Sequence, residues 1–578
     1  MKVVLLYPPP WKLAAPGEVA ELGGDGAPGD FHPSHLDGDF FQMPYGVLSL
    51  AAQLVRAGHE AKVLNLSAYA WSQVERIVSE VEAELWGLSC FTANRRGVAL
   101  VAACIKRHHP STRVIVGGPH ATALPSEMLS HHAAIDAVVI GEGEATLLDV
   151  VQRLSSKQSF DNVPGLAWRV GGSVRVSERR HRLKDLDSLA SPHDLYDTHV
   201  VVTSRGCPGR CTFCATKSVW GKAYRVHSVE RVIGMLEKAV GRVPTKMLTL
   251  KDETFSASRT RARAICEGIV ARGLRFVWSC DTRADSIDEG LVRAMRLAGC
   301  QRLSLGVESG SAEVLRGIGK NVTPERILET TRLAKKYGLP VRYFMMMGNR
   351  GETADRFKES LAFLEAAQPH HYVFACLSVY PGTPDFEELE RRGWIDREAY
   401  FSGDFQELKM PFDASEADTQ MMGAWFERNR GVRTMFQEGV TEYAAILERL
   451  GDFAGAHLDL GGAYYREGNW DAAELHVRKA LALAHPLPGL LYNYLACIAF
   501  ARGDVELMKT HFEAAMQDPL HPVLMRNVQA VRAWLQQGGP AKRLPLRLDA
   551  RHDFELFDRA VQPSLPGPLP RDWARWAR

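Results

Sequence analysis

Two hydrophobic rhythms alternate along the first two thirds of the chain: short aliphatic runs, and longer stretches with apolar side chains every three or four positions. Val3 to Tyr7 is a β-branched and aliphatic run closed by Pro8, Pro9 and Pro10, which cannot continue a hydrogen-bonded ladder. After a Gly/Asp-rich stretch to about Phe40, Val47, Leu48, Leu50, Ala51, Leu54 and Val55 recur at helical spacing. Gly58 then marks a stop, and Ala61 to Leu66 is apolar again. This βαβ signature continues through apolar runs at 85–90, 113–116 and 137–140, with Val98 to His108 as one amphipathic spacer. Residues 1–155 therefore predict an α/β domain: an open, doubly wound parallel sheet of Rossmann-like type, binding ligands at the carboxyl ends of its strands.

Residues 156–197 read as a short β-rich connector. Alternation resumes in 198–410, with strands expected at 200–204, 247–251, 276–280, 302–307, 341–347 and 372–379. Six such units predict a partial (β/α)6 barrel with active groups on the loops after the strands. Residues 411–452 read as a helical linker. From 453 to 535 the pattern is wholly helical and repeats. Gly468-Asn469-Trp470-Asp471 returns after about 35 residues as Gly503-Asp504-Val505-Glu506, with small residues at Gly461, Ala473, Ala480, Ala496 and Ala515 where helices pack closely. This resembles tetratricopeptide repeats, two of them with a third capping helix. Met508 stands where that repeat expects Ala. The Pro/Arg-rich residues 536–578 are expected to be irregular.

Composition narrows the class. With 70 Lys+Arg against 68 Asp+Glu, the net charge of +2 supplies no broad basic field, so nucleic acid is not an expected partner. Nor is a membrane: the apolar start is too short for a signal peptide, and no run of about 18 apolar residues follows. Ten cysteines, only three of them closely spaced, suit a metal or redox site in a reducing cytoplasm and not a disulfide framework.

Those three, Cys207, Cys211 and Cys214, share one short loop directly after a predicted strand. Three soft thiolates so placed can hold three irons of a cubane and leave the fourth open to an exogenous ligand. Spacing alone also admits a zinc site completed by His227 or another residue. The full run from Thr203 to Cys214, with aromatic Phe213 before the last cysteine, resembles the signature of the radical S-adenosylmethionine (SAM) superfamily.

That resemblance implies a 4Fe-4S cluster on Cys207, Cys211 and Cys214, with SAM at the open iron. It extends to the ends of later strands: 251–255, 278–283, 306–310, 347–353 and 380–383 are similar to family segments around the SAM site. By it, Phe213, Asp252, Glu253, Arg283, Glu308, Ser309 and Gly348 contact SAM. Asp252 and Glu253 would receive the methionine ammonium and Arg283 the carboxylate; Glu308 and Ser309 would meet ribose or methionine, and Gly348 the adenine. Arg350 departs from the proline common in relatives.

In the first domain no G-x-G-x-x-G follows the first strand, so a dinucleotide loses its main support. Segments 87–92, 116–122 and 139–144 instead resemble the cobalamin-binding domain that precedes the radical SAM domain in one large subgroup. The implied cobalamin contacts are Ser89, Cys90, Phe91, Thr92, Gly117, Gly118, Pro119, His120, Gly141, Glu142 and Gly143. Paired glycines such as Gly117-Gly118 let backbone approach a flat macrocycle. The residues 31–38 do not match D-x-H-x-x-G, so His32 and His35 read as loop residues and not as cobalt ligands.

The resemblance implies an enzyme, a methyltransferase that forms a 5′-deoxyadenosyl radical and delivers a methyl group from methylcobalamin to an unreactive carbon or phosphorus. A ring closure or rearrangement with the same cofactors is the rival reading, and a repeat-based binding scaffold with a structural metal is one of another class. A transfer-RNA methylthiolating enzyme would carry a further cysteine triad, where this first domain has only Cys90 and Cys104. The substrate is expected to be a small molecule or one held on a carrier or peptide, the electron donor a flavodoxin or ferredoxin, and the helical repeats a surface for a protein partner.

Overall fold

The computed structural model describes residues 1–9, 45–67, 69, 71–401, 414–518, 521–539 and 548–550. His32 and His35 lie outside the described residues. The first sheet has seven strands: β1 (Lys2–Tyr7), β2 (Glu60–Asn65), β3 (Leu85–Ser89), β4 (Arg113–Gly117), β5 (Ala137–Val139), β6 (Leu166–Val170) and β7 (Ser173–Val176). Their order is β2-β1-β3-β4-β5-β6-β7, parallel through β5 and antiparallel beyond it. Strand order reverses beside β1, so the crevice at a topological switch point opens over β1 and β3. Successive residues of β1 enter opposite cores, Val3 and Leu5 on one face, Val4 and Leu6 on the other, as the period of two requires for a sheet covered on both sides. The connector expected at 156–197 is in part this sheet's own edge, since β6 and β7 extend it.

The second sheet comprises β8 (Val200–Val201), β11 (Met247–Leu250), β12 (Val277–Thr282), β13 (Cys300–Glu308), β14 (Val341–Met347), β15 (His371–Cys376) and β16 (Arg433–Thr434); β9 (Ser204–Arg205) and β10 (Arg225–Val226) form a separate small hairpin. The sheet runs in sequence order and is parallel except for β16 on β15. It is the six-stranded partial barrel with one added edge strand. Residues 411–452 therefore do more than link: β16 pairs with the barrel, and Met422, Tyr443 and Ile446 enter its core. Helices on the convex side begin at side-chain caps, Ser228, Ser258, Asp288, Thr323, Thr353 and Thr383 each accepting a backbone N–H of the first turn.

Beyond the barrel, helices Ala454–Glu467 and Trp470–Ala482, then Pro488–Ala501 and Val505–Ala515, form two successive hairpins followed by Pro522–Gln536. Ala473, Ala480, Ala496 and Ala515 are fully buried between them, and Met508 is buried as well. The tail is docked where it is described: Leu548 and Ala550 join this core, and the Tyr465 hydroxyl donates to the Leu548 carbonyl at 2.9 Å. Among the described residues no helix is long and apolar enough to cross a membrane.

Candidate functional site

The three clustered cysteines sit on the turn after β9, all partly exposed. The turn is held from several sides. Thr212 donates its N–H to the Ile318 carbonyl at 2.9 Å and accepts the Asp385 N–H at 3.1 Å. Gly209 donates to the Cys207 Sγ at 3.3 Å. Arg283 forks onto Asp285 at 3.0 and 2.7 Å and brings its Nη1 to 4.0 Å from the Cys211 Sγ. Burial pushes the Cys211 thiol up, and the charges of Lys320 and Arg283 oppose that shift. His227, one candidate for a fourth zinc ligand, bonds Asp187 through Nδ1 at 2.9 Å.

The concave side of the barrel is polar because every second strand residue turns inward. Leu303, Leu305 and Val307 of β13 enter the outer core, while Arg302, Ser304, Gly306 and Glu308 take the opposite face. Lys251 pairs with Asp281 at 2.8 Å. Glu308 closes β13 at φ +68, a left-handed conformation costly for a residue with a Cβ, and its carboxylate pairs with Lys320 at 2.8 Å. A Cβ at Gly306 would stand 2.7 Å from the Glu308 carboxylate and 2.9 Å from the Lys320 Nζ, so a side chain there would displace this ion pair.

Two residues expected around SAM are otherwise engaged. Asp252 is buried and its carboxylate accepts four hydrogen bonds, from the Thr203 and Ser204 N–H groups and hydroxyls, at 2.5–3.1 Å. With both oxygens doubly occupied it anchors the strand leading to Cys207 and has no lone pair to offer an ammonium. Ser309 is likewise buried, bonded to the Ser360 hydroxyl at 2.9 Å and accepting the Ser311 N–H. Glu253 is the acid turned to the site: it accepts the Gly206 N–H at 3.2 Å, and burial raises it above the ordinary carboxylate range. Gly348 ends β14 at φ +81. Just beyond it the Glu352 Oε1 and Asn349 Oδ1 are buried without a partner among the described residues, and burial pushes Glu352 up to about 7. Arg350, in place of the usual proline, pairs with Asp385 at 2.7 Å.

A cavity of about 620 Å³ lies where the ends of the first sheet face the cysteine turn. Ser89, Phe91, Thr92, Gly117, Gly118, Pro119, His120, Gly141, Glu142 and Gly143 line one side; Phe213, Cys214 and Glu253 line the other. Cys90 is the exception among the first-domain expectations. Its side chain is fully buried, its thiol is pushed up to about 12 by burial, and it acts through its backbone, which accepts the His120 N–H at 3.2 Å. Gly118 lies against that backbone at φ +105, where a Cβ would approach the Cys90 carbonyl oxygen to 2.6 Å. Tyr45, Trp220 and Tyr380 complete the wall. Sequence reading missed Tyr45 and Trp220 because single aromatics carry no motif.

The residues fit three cofactors: spaced thiols with an adjacent cation for a cluster, a charged lumen with unpartnered buried acceptors for a zwitterionic nucleoside, and a glycine-lined, largely apolar cavity for a macrocycle. The comparisons agree. The radical SAM superfamily matches residues 201–364 and the B12 binding domain residues 39–151. The uncharacterized methyltransferase PH0819 of Pyrococcus horikoshii is 31% identical over 353 residues, 59% of this chain and 77% of the relative. The anaerobic magnesium-protoporphyrin IX monomethyl ester cyclase of Rubrivivax gelatinosus is 24% identical over 383 residues, 62% of this chain and 69% of the cyclase. The solved radical SAM methyltransferase TsrM of Kitasatospora setae, with cobalamin and a [4Fe-4S] cluster bound, shares the fold with a TM-score of 0.55 at 18% identity, over 89% of this chain and 100% of that one. Matched in both domains, the chain belongs to the cobalamin-binding radical SAM enzymes, which work with a 4Fe-4S cluster, SAM and cobalamin.

Proposed function

We propose that the protein is a cobalamin-dependent radical SAM methyltransferase that methylates an unreactive carbon or phosphorus centre. The observation that carries this reading is the cavity lined at once by the first-sheet loops and by Phe213, Cys214 and Glu253. Together the cofactors supply a carbon radical that abstracts hydrogen and a methyl group carried on cobalt. Cys207, Cys211 and Cys214 hold the iron, with Arg283 balancing thiolate charge from 4.0 Å. Glu253 accepts the methionine ammonium, while Asp252 keeps the strand before Cys207 in register. Glu308, held by Lys320, presents a fixed carboxylate to the sugar or amino-acid part of SAM, and Gly348 exposes backbone to its base. The loops ending at Phe91, Gly118 and Gly143 receive the corrin, and the apolar wall of Phe91, Phe213 and Trp220 keeps water from the reacting centres.

The hairpins beyond residue 453 act as tetratricopeptide-like repeats that offer a face to a protein or a carrier-bound substrate. The electron donor is a flavodoxin or ferredoxin, and the cytoplasm is the compartment.

The test is anaerobic turnover of reconstituted enzyme with reductant, methyl-labelled SAM and candidate small-molecule acceptors. S-adenosylhomocysteine and a labelled product beside 5′-deoxyadenosine are expected. Deoxyadenosine with an unlabelled, rearranged product overturns methyl transfer in favour of a ring closure, the reading that similarity to the cyclase supports.

A further inference from the structure

At the seam between the two α/β domains lies a buried set of charges that joins the two cofactor sites. Arg205 of β9, two residues before Cys207, has a side chain only 7% exposed. Its guanidinium bonds Glu144 at 2.5 Å and Glu142 at 3.4 Å, the first residue of the helix Glu144–Ser155 and a residue of the loop between it and β5 in the other domain. Arg225, its neighbour on β10, holds the same Glu142 through two bonds at 2.5 and 3.0 Å. Trp220 stacks on the Arg205 guanidinium at 5.0 Å, and Ser49 donates to Glu144 at 3.2 Å. Burial pulls the Glu144 carboxyl up, but the charge and hydrogen bond of Arg205 outweigh it and hold the group below its ordinary range.

Two carboxylates from one domain and two guanidinium groups from the other are thus neutralised only in one relative placement. A buried pair of this kind adds little net stability, because desolvation offsets the attraction, yet breaking it leaves an unpaired buried charge, which is strongly disfavoured. Its physical effect is to penalise displacement. Both ends of the set abut the cavity: Glu142, Glu144 and Trp220 line it, and β9 runs directly into the cysteine turn.

We infer that Arg205 is a positioning residue that fixes the separation between the corrin and the cluster, through Glu142 and Glu144. The inference rests on the cofactor placement proposed above, and not on the reaction being methyl transfer. A shift of about 1 Å between reacting groups can cost on the order of 10²-fold in rate, which is why a rigid seam matters here.

The experiment uses full-length protein reconstituted with iron, sulfide and hydroxocobalamin, reduced so that cluster and cobalt are both paramagnetic. Pulsed electron paramagnetic resonance then reads the distance between the two spins. The native protein is expected to give one narrow distance, Arg205→Met a distribution broadened or shifted by about 1 Å or more, and Arg205→Lys an intermediate result, since lysine keeps the charge but not the fork. Arg205→Met with the native distance and width overturns the inference. Should Arg205→Met fail to retain both cofactors, Glu144→Gln, which keeps the shape and removes the charge, is read by the same two outcomes. The measurement needs no methyl acceptor, so a failure of the methyl-transfer assay leaves this result intact. A native protein whose two spins show no interaction at all would instead reject the shared-cavity placement.

Discussion

The two sheets of this protein share an α/β plan and differ in what their strands turn toward the ligand. The first is apolar on both faces, Val3 and Leu5 packing one way and Val4 and Leu6 the other, and glycines line the cavity at the end of β4 and in the turn after β5. The barrel is apolar only outside; its inner face carries Lys251, Asp281, Arg302 and Glu308, and its loops carry thiols. One architecture therefore serves two cofactors by opposite means. The first sheet removes side chains so that backbone can meet a large flat ligand, and the second adds charge where a zwitterion must be held. Even the acids at the first sheet's end, Glu142 and Glu144, are spent on arginines of the barrel.

This contrast can be broken by separating the two halves. The largest effect is expected from Cys211→Ala, which should abolish deoxyadenosine formation and lower bound iron while cobalamin is retained; a variant that still cleaves SAM, or native protein holding one zinc in place of iron, defeats the division of labour. Next comes Glu352→Gln, since burial raises this acid to about 7 in the folded barrel. The folded state then holds the proton more tightly than the unfolded chain. Its stabilising contribution is present below about pH 4.5 and is lost as pH rises through about 7, amounting to about 3 kcal/mol. Comparing denaturant midpoints of the native protein and the Glu352→Gln variant between pH 5 and pH 8 should show this slope in the native protein alone; equal slopes would place the titration elsewhere. The smallest effect belongs to Gly118→Ala, where a Cβ meets the Cys90 backbone at φ +105. It should cost about 1–3 kcal/mol and weaken corrin retention while leaving iron content and SAM cleavage unchanged. Loss of both cofactors together would mean that the two sites are not separable.

Much of this was legible from local pattern. Alternating apolar runs and amphipathic stretches located nearly every strand of both sheets, because periods of two and 3.6 are imposed by backbone geometry regardless of context. The cysteine turn was legible for a chemical reason, since three thiols at that spacing have few structural uses. For Asp252 and Ser309 the structure adds what the sequence could not, since a strand-end acid or hydroxyl looks alike in sequence whether it faces a ligand or closes a hydrogen-bond network. Only the four bonds to Thr203 and Ser204, and the Ser360 contact, distinguish the two cases.

By itself the sequence determined which segments form strands and helices, where the thiols gather, and which loops are free of side chains, because these depend on spacing along one stretch of chain. The tertiary structure alone decided how the edge strands β6, β7 and β16 complete their sheets, which acids remain open to a ligand, and that Arg205 and Arg225 meet Glu142 and Glu144. The arginines reach their carboxylates across 61 to 83 residues of chain, and a charge carries no mark in the sequence of the distant group that will neutralise it.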